Sequence, residues 1–166
     1  GFPISIKSGH VLIELRLRGL SRDDRAILDV AAVEGYEFDP ALVAGVTRCR
    51  GLEVLQNLAG IERGSGVVRA AGRRYRFDHH QIQEVLYAAL PPTLAEGYHA
   101  TIADALEVRS GAVAKDPKDL EGAVCVSICD HALRGAAGPR ARRYLDAALT
   151  FLERGYRNEG AILLAE

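Results

Sequence analysis

The 166 residues carry a formal net charge of −1, and nearly half of them are hydrophobic, so the chain can build a core and has no bulk attraction to nucleic acid or acidic lipid. No apolar run approaches the roughly 18 residues of a membrane span, and the opening GFPISIKSGH lacks the apolar stretch and cleavage site of a secretory signal. Cys49, Cys125 and Cys129 make an odd count without framework spacing, which points to reduced thiols and a cytoplasmic setting.

In chain order, Val11, Leu12, Leu15 and Leu20 predict the apolar side of a lead-in helix over residues 1–20. Ser21-x-x-Asp24 is a capping pattern that starts a second helix, with Ile27, Leu28, Val30, Ala31 and Ala32 as its stripe. After GYEFD, Asp39-Pro40 opens a short helix, with proline where its missing N–H is harmless. RGLEVLQNLAGI predicts the next, with Leu52, Leu55 and Leu58 on one side. Val67–Ala70 and Arg73–Phe77, joined at Ala71-Gly72, predict a hairpin that must lean on the helices beside it.

Beyond the hairpin the pattern is helical throughout. Ile82, Val85, Leu86, Ala89 and Leu90 follow a 3.6-residue period, ended by Pro91-Pro92. Leu94, Tyr98, Ile102 and Leu106 predict the next stripe. RSGAVAKDPKD reads as a polar loop, and Leu120, Val124, Ile128 and Ala132 mark a further helix. Tyr144, Leu145, Ala148 and Leu152 mark another, stopped near Gly155. NEGAILLAE then starts an apolar helix whose Ile162, Leu163 and Leu164 would need a further helix to cover them, so a piece of a longer, repeat-containing protein is expected.

The segment YRFDHHQIQEVLY holds the chemistry that most needs explaining. His79 and His80 are adjacent on a helix expected to begin near Asp78, so their side chains diverge and do not cooperate. Asp78 is expected to cap that helix by accepting from His80 or Gln81. A neutral His79 in the first turn can donate to a phosphate or carbonyl; the plainer reading is a histidine half-buried against the hairpin. His80 reads as solvated, and His99 and His131 as helix-face histidines without visible partners.

Catalytic and metal motifs are missing. RGSG is followed by Val67 rather than lysine, and no G-x-S-x-G or H-E-x-x-H occurs, so no catalytic residue is assigned. Cys125 and Cys129, four apart near His131, lack the second ligand pair that zinc requires and read as buried apolar thiols, so no metal ligand is assigned.

LSRDDRAILDVAAVEGYEFDPALVAGV followed by YRFDHHQIQEVLYAALPPTLAEGYHATIADALE resembles the winged-helix region of bacterial STAND-type AAA+ signalling ATPases. These are the kind linked to adenylate/guanylate cyclases, Ser/Thr kinases or LuxR-type regulators. Leu20, Ser21, Arg25, Leu28, Ala31, Ala32, Val33, Gly35 and Phe38 carry the first part of the likeness. Tyr75, Phe77, His79, Glu84 and Tyr87 carry the second, and His99, Ile102, Ala103, Ala105, Leu106 and Glu107 the third. Arg16 and Leu20 look like the helix that precedes the domain, and Tyr144, Leu145, Ala148 and Ala161 like the start of tetratricopeptide-like (TPR-like) repeats.

The resemblance implies a mainly α fold: a lead-in helix over 1–20 from a nucleotide-binding module, a winged-helix domain with a small β-hairpin wing over 21–91, and an antiparallel helical, TPR-like segment over 92–166. It implies that His79 senses the nucleotide of a neighbouring module. Cofactors are then absent from this segment, with ATP or ADP and Mg held elsewhere in the parent protein. Many relatives carry a basic residue where this chain has Asp78. The expected function is non-catalytic coupling between that module and the helical repeats through domain contacts, with protein partners and no membrane. Two alternatives are a DNA-binding winged helix, using Arg69, Arg73, Arg74 and Arg76 on the wing with Arg48 and Arg50, and a helical scaffold for a protein partner. Against DNA, the helix after Arg50 offers Glu53, Gln56 and Asn57 among leucines and no basic residue, where phosphate contacts should supply affinity.

Overall fold

The structure, a computed structural model, describes residues 2–165, with side chains for residues 9–156. It is mainly helical with one small antiparallel sheet, and it divides into two compact units, Gly1–Ala95 and Glu96–Glu166.

The first unit opens with α1 (Phe2–Arg18) and α2 (Arg22–Glu34). Ser21 accepts the Asp24 N–H at 3.1 Å, as its capping pattern predicts. Gly35 ends α2 at φ 149°, a backbone region that side chains disfavour. Where GYEFD predicts only an interruption, the chain forms a two-residue strand β1 (Glu37–Phe38), before α3 (Pro40–Thr47), capped by Asp39 through the Ala41 N–H at 2.9 Å. Next come α4 (Gly51–Gly64), β2 (Val68–Ala71), β3 (Arg74–Phe77) and α5 (His80–Ala88).

The sheet order is β1-β3-β2, all antiparallel, with Phe38 opposite Tyr75 and Val68 opposite Phe77. Phe38 and Phe77 are fully buried with ring centroids 5.3 Å apart, and they seat the sheet on the core formed by Ile27, Leu28, Val43, Leu58, Ile82 and Leu86. The hairpin turn is Gly72-Arg73 rather than Ala71-Gly72, because Ala71 pairs with Arg74 and Gly72 takes φ 65°. A two-residue hairpin with positive φ at its first central position wants glycine there.

Two predicted stripes in this unit are turned. Among the described side chains of α1 the buried residues are Ile13 and Leu17, whereas Val11, Leu12 and Leu15 are more than half exposed. In α4 the buried residues are Val54, Leu58 and Ile61, and Leu52 and Leu55 face solvent.

The second unit takes α6 (Pro92–Ser110) from Glu96 onward, with α7 (Gly122–Arg134) and α8 (Gly138–Ala165). Ala103, Cys125, Ile128, Cys129, Ala132, Ala141, Tyr144 and Ala148 form its core. The predicted polar loop between α6 and α7 is two short 3₁₀ turns with Ala112 wholly buried. Arg143 Nη2 fastens that loop by donating to the carbonyls of Ala112 (2.9 Å), Val113 (3.3 Å) and Lys115 (3.0 Å).

The α6 stripe also shifts, to Ala95, His99, Ile102, Ala103 and Glu107, and Leu94 is exposed. The helix expected to stop at Gly155 does not stop. α8 is one 28-residue helix running through Gly155, where glycine costs about 1 kcal/mol relative to alanine but removes no hydrogen bond. The side chains of Ile162, Leu163 and Leu164 lie outside the described residues.

Candidate functional site at the strand-to-helix junction

Where β3 runs into α5, the backbone N–H of Asp78 donates to the Val67 carbonyl at 2.9 Å, which closes the base of the hairpin. The Asp78 carboxylate sits between two guanidinium groups. Arg69 Nε donates to Oδ1 at 2.6 Å, and Arg16 Nη2 to Oδ2 at 3.3 Å. Arg16 also donates to the carbonyls of Ser65 (3.2 Å) and Gly66 (2.8 Å). One side chain of α1 thereby fastens the end of α4, the start of the hairpin and the start of α5. The hydrogen bond from Arg69, with help from Arg16 and against burial, holds the Asp78 carboxyl below its ordinary value.

Asp78 is therefore not the cap of α5, as the sequence had suggested: both of its oxygens are held by arginines. The N-cap residue is His79, in extended conformation and without a side-chain capping bond. Its ring is 73% exposed, with Nε2 3.6 Å from Asp78 Oδ2, too long for a hydrogen bond. So the reading of His79 as half-buried against the hairpin fails, and the imidazole stands in solvent above a carboxylate whose charge two arginines offset. His80 is exposed too, and its ring stacks on Tyr36 at 3.8 Å between centroids. The two histidines diverge, as their spacing predicted. Gln83 Nε2 anchors α5 to α2 by donating to the Ala32 carbonyl at 2.8 Å.

Two of the four hairpin arginines are committed inside the unit. Arg69 holds Asp78, and Arg74 pairs with Glu34 (3.5 Å) and Glu37 (3.2 Å). Arg73 and Arg76 are exposed and make no ion pair among the described residues. The outward face of α4 carries Leu52 (68% exposed) and Leu55, and the helix has one cation, Arg63 in its last turn.

The second unit holds a pair that the sequence reading missed. His99 and His131, expected to lack partners, are buried and face each other with Nδ1···Nδ1 at 2.8 Å. Burial, then the neighbouring His131 and Arg134, lowers the His99 pKa to about 4, with Asp130 opposing. Burial lowers His131 as well. The available signal was phase: His99 lies between Ala95 and Ile102 at helical spacing, and His131 follows Ile128 by three residues, so each falls within an apolar stripe.

Nearby, Tyr144 Oη donates to Glu107 Oε1 at 2.8 Å, and Arg140 pairs with Glu107 and Asp104. Burial and Glu107 push the Tyr144 hydroxyl up to about 12. Cys125 and Cys129 are buried thiols whose pKa burial raises, donating weakly to the carbonyls of Pro117 and Ala141. Among the described residues, no three His, Cys, Asp or Glu side chains are grouped to hold a metal ion, and no helix is long and apolar enough to cross a membrane.

Compared with family models, curated proteins and solved structures, the chain finds no match in any of the three.

Proposed function

We propose that this chain is a non-catalytic coupling segment of a STAND-type signalling ATPase, with a winged-helix unit followed by the first TPR-like helices. In this reading its surfaces relay the nucleotide state of an adjoining ATPase module, which holds ATP or ADP with Mg, to helical repeats. The observation that carries the proposal is the fastening of α1 by Arg16 to the hairpin base and to Asp78, directly beside the exposed ring of His79. A group that engages His79 acts on a junction to which the lead-in helix is bolted, so the two can move as one body. The Asp78 carboxylate, a departure from the resemblance, is offset by Arg16 and Arg69 and does not present bare negative charge to a phosphate.

The same surface argues against the DNA reading. Phosphate contacts dominate the affinity of DNA-binding domains. Here Arg69 and Arg74 are committed to carboxylates, and α4 offers exposed leucines with a single cation, Arg63, at its far end. Exposed leucines beside an anchored hairpin suit a protein surface better than a major groove.

The test is hydrogen exchange on the full-length protein that carries this chain, with ADP and with a non-hydrolysable ATP analogue. The proposal expects nucleotide-dependent protection in α1 and at residues 79–88. Identical exchange in both states would sink it, as would tight, salt-sensitive binding of random duplex by the 166-residue chain.

A further inference from the structure

The geometry of the second unit points to a proton-operated latch: we propose that His99 and His131 hold the α6–α7 crossing closed until both imidazoles are protonated, and release it when they are. At 2.8 Å between Nδ1 atoms, one ring must donate and the other accept. Two neutral rings satisfy this when one carries its proton on Nδ1 and the other on Nε2. One added proton still leaves a donor facing an acceptor; a second leaves two N–H groups head-on. The two backbones already meet closely here, because a Cβ built on Gly135 would lie 2.6 Å from the Ala100 nitrogen and 2.8 Å from its Cα. Repulsion between two buried, like-charged rings therefore acts directly at the point where α6 and α7 meet. Both rings are almost fully buried, at 2% and 6% exposure, so charging them inside the unit is costly.

Asp130 and Arg134 of α7 act on the rings with opposite signs and pair with each other at 3.1 Å. Arg140 of α8 is committed to Asp104 and Glu107 of α6. Because both histidines sit below their ordinary value when folded, the unfolded chain takes up protons first. The closed state is therefore fully stable above about pH 6.5 and loses stability as pH falls toward about 4.

The experiment is a nitrogen-detected NMR titration of the histidine rings in the 166-residue chain from pH 7.5 to 3.5, with amide exchange followed in parallel. The expected result is one Nδ1–H tautomer and one Nε2–H tautomer at neutral pH. Both rings should resist protonation through pH 6, and α6 and α7 amides should lose protection as the second ring titrates. Two Nε2–H tautomers, or titration near pH 6.5 with protection intact, would overturn the latch. His99→Gln, which keeps a polar side chain but cannot titrate, is expected to move the acid midpoint of the unit down by about half a pH unit or more. A folded variant with an unchanged midpoint also overturns it. If that variant does not fold, the wild-type tautomers decide the matter.

Discussion

Removing Arg16 is the sharpest perturbation of the first unit. Arg16→Ala deletes three hydrogen bonds at once, to the Ser65 and Gly66 carbonyls and to Asp78 Oδ2. Bonds that involve a charged group are worth about 1.5–3 kcal/mol each when well buried. The Arg16 side chain is one-third exposed, so water replaces part of what is lost, and surface ion pairs contribute only about 0–1 kcal/mol. Asp78 keeps Arg69 as a partner. The net cost is therefore about 2 kcal/mol, which in a unit of this size lowers Tm by roughly 8–16 °C. Thermal melts by circular dichroism read the shift, and hydrogen exchange assigns it to α1 and the hairpin base. Asp78→Asn, which leaves both carbonyl bonds of Arg16 in place, should cost less than Arg16→Ala. A Tm change under about 2 °C for Arg16→Ala, a fraction of 1 kcal/mol on the same scale, or equal losses for the two variants, would refute the reasoning.

Tyr144→Phe removes the hydroxyl that donates to buried Glu107 and should destabilise the second unit by about 1.5–3 kcal/mol, read as an earlier melt with the first unit's exchange unchanged. Gly135→Ala drives a methyl into the Ala100 backbone; overpacking of about 1–3 kcal/mol is expected from denaturant titration, and a neutral outcome would mean that the crossing is looser than described. Leu52→Asp with Leu55→Asp should leave the melt within about 0.5 kcal/mol, since both side chains face solvent, while weakening association with the proposed nucleotide module in pull-down with that module.

Much of this fold was legible because its local signals are strong. Ser21, Asp39 and Pro40 start helices by chemistry that sits within four residues, and Ile82, Leu86 and Leu90 bury as their period requires. What misled was choice of face. In α1, apolar residues at 11, 12, 13, 15 and 17 supply two candidate stripes, and only the partner helices decide that Ile13 and Leu17 go inward. β1 spans two residues and has no period to read; it exists because β3 offers it an edge. The continuity of α8 was hidden by Gly155, a residue that weakens a helix without ending it.

The junction was half legible. His79 stood out from its motif and its divergence from His80 from helical geometry, but the arginines that neutralise Asp78 come from 62 residues upstream and from nine residues back across the hairpin. Pairing at such distance leaves no periodic trace. The same holds for His99 and His131, 32 residues apart, although a histidine inside an apolar stripe is a usable warning that a buried partner exists.

The proposed coupling role is tested most directly by the equilibrium affinity of ADP for the full-length protein that would carry this chain, measured for wild type and His79→Ala by titration calorimetry. The account predicts at least about tenfold weaker ADP binding in the variant, equivalent to about 1.4 kcal/mol, with the thermal melt of the first unit unchanged because the His79 ring is exposed. Equal affinities in two folded proteins would contradict it.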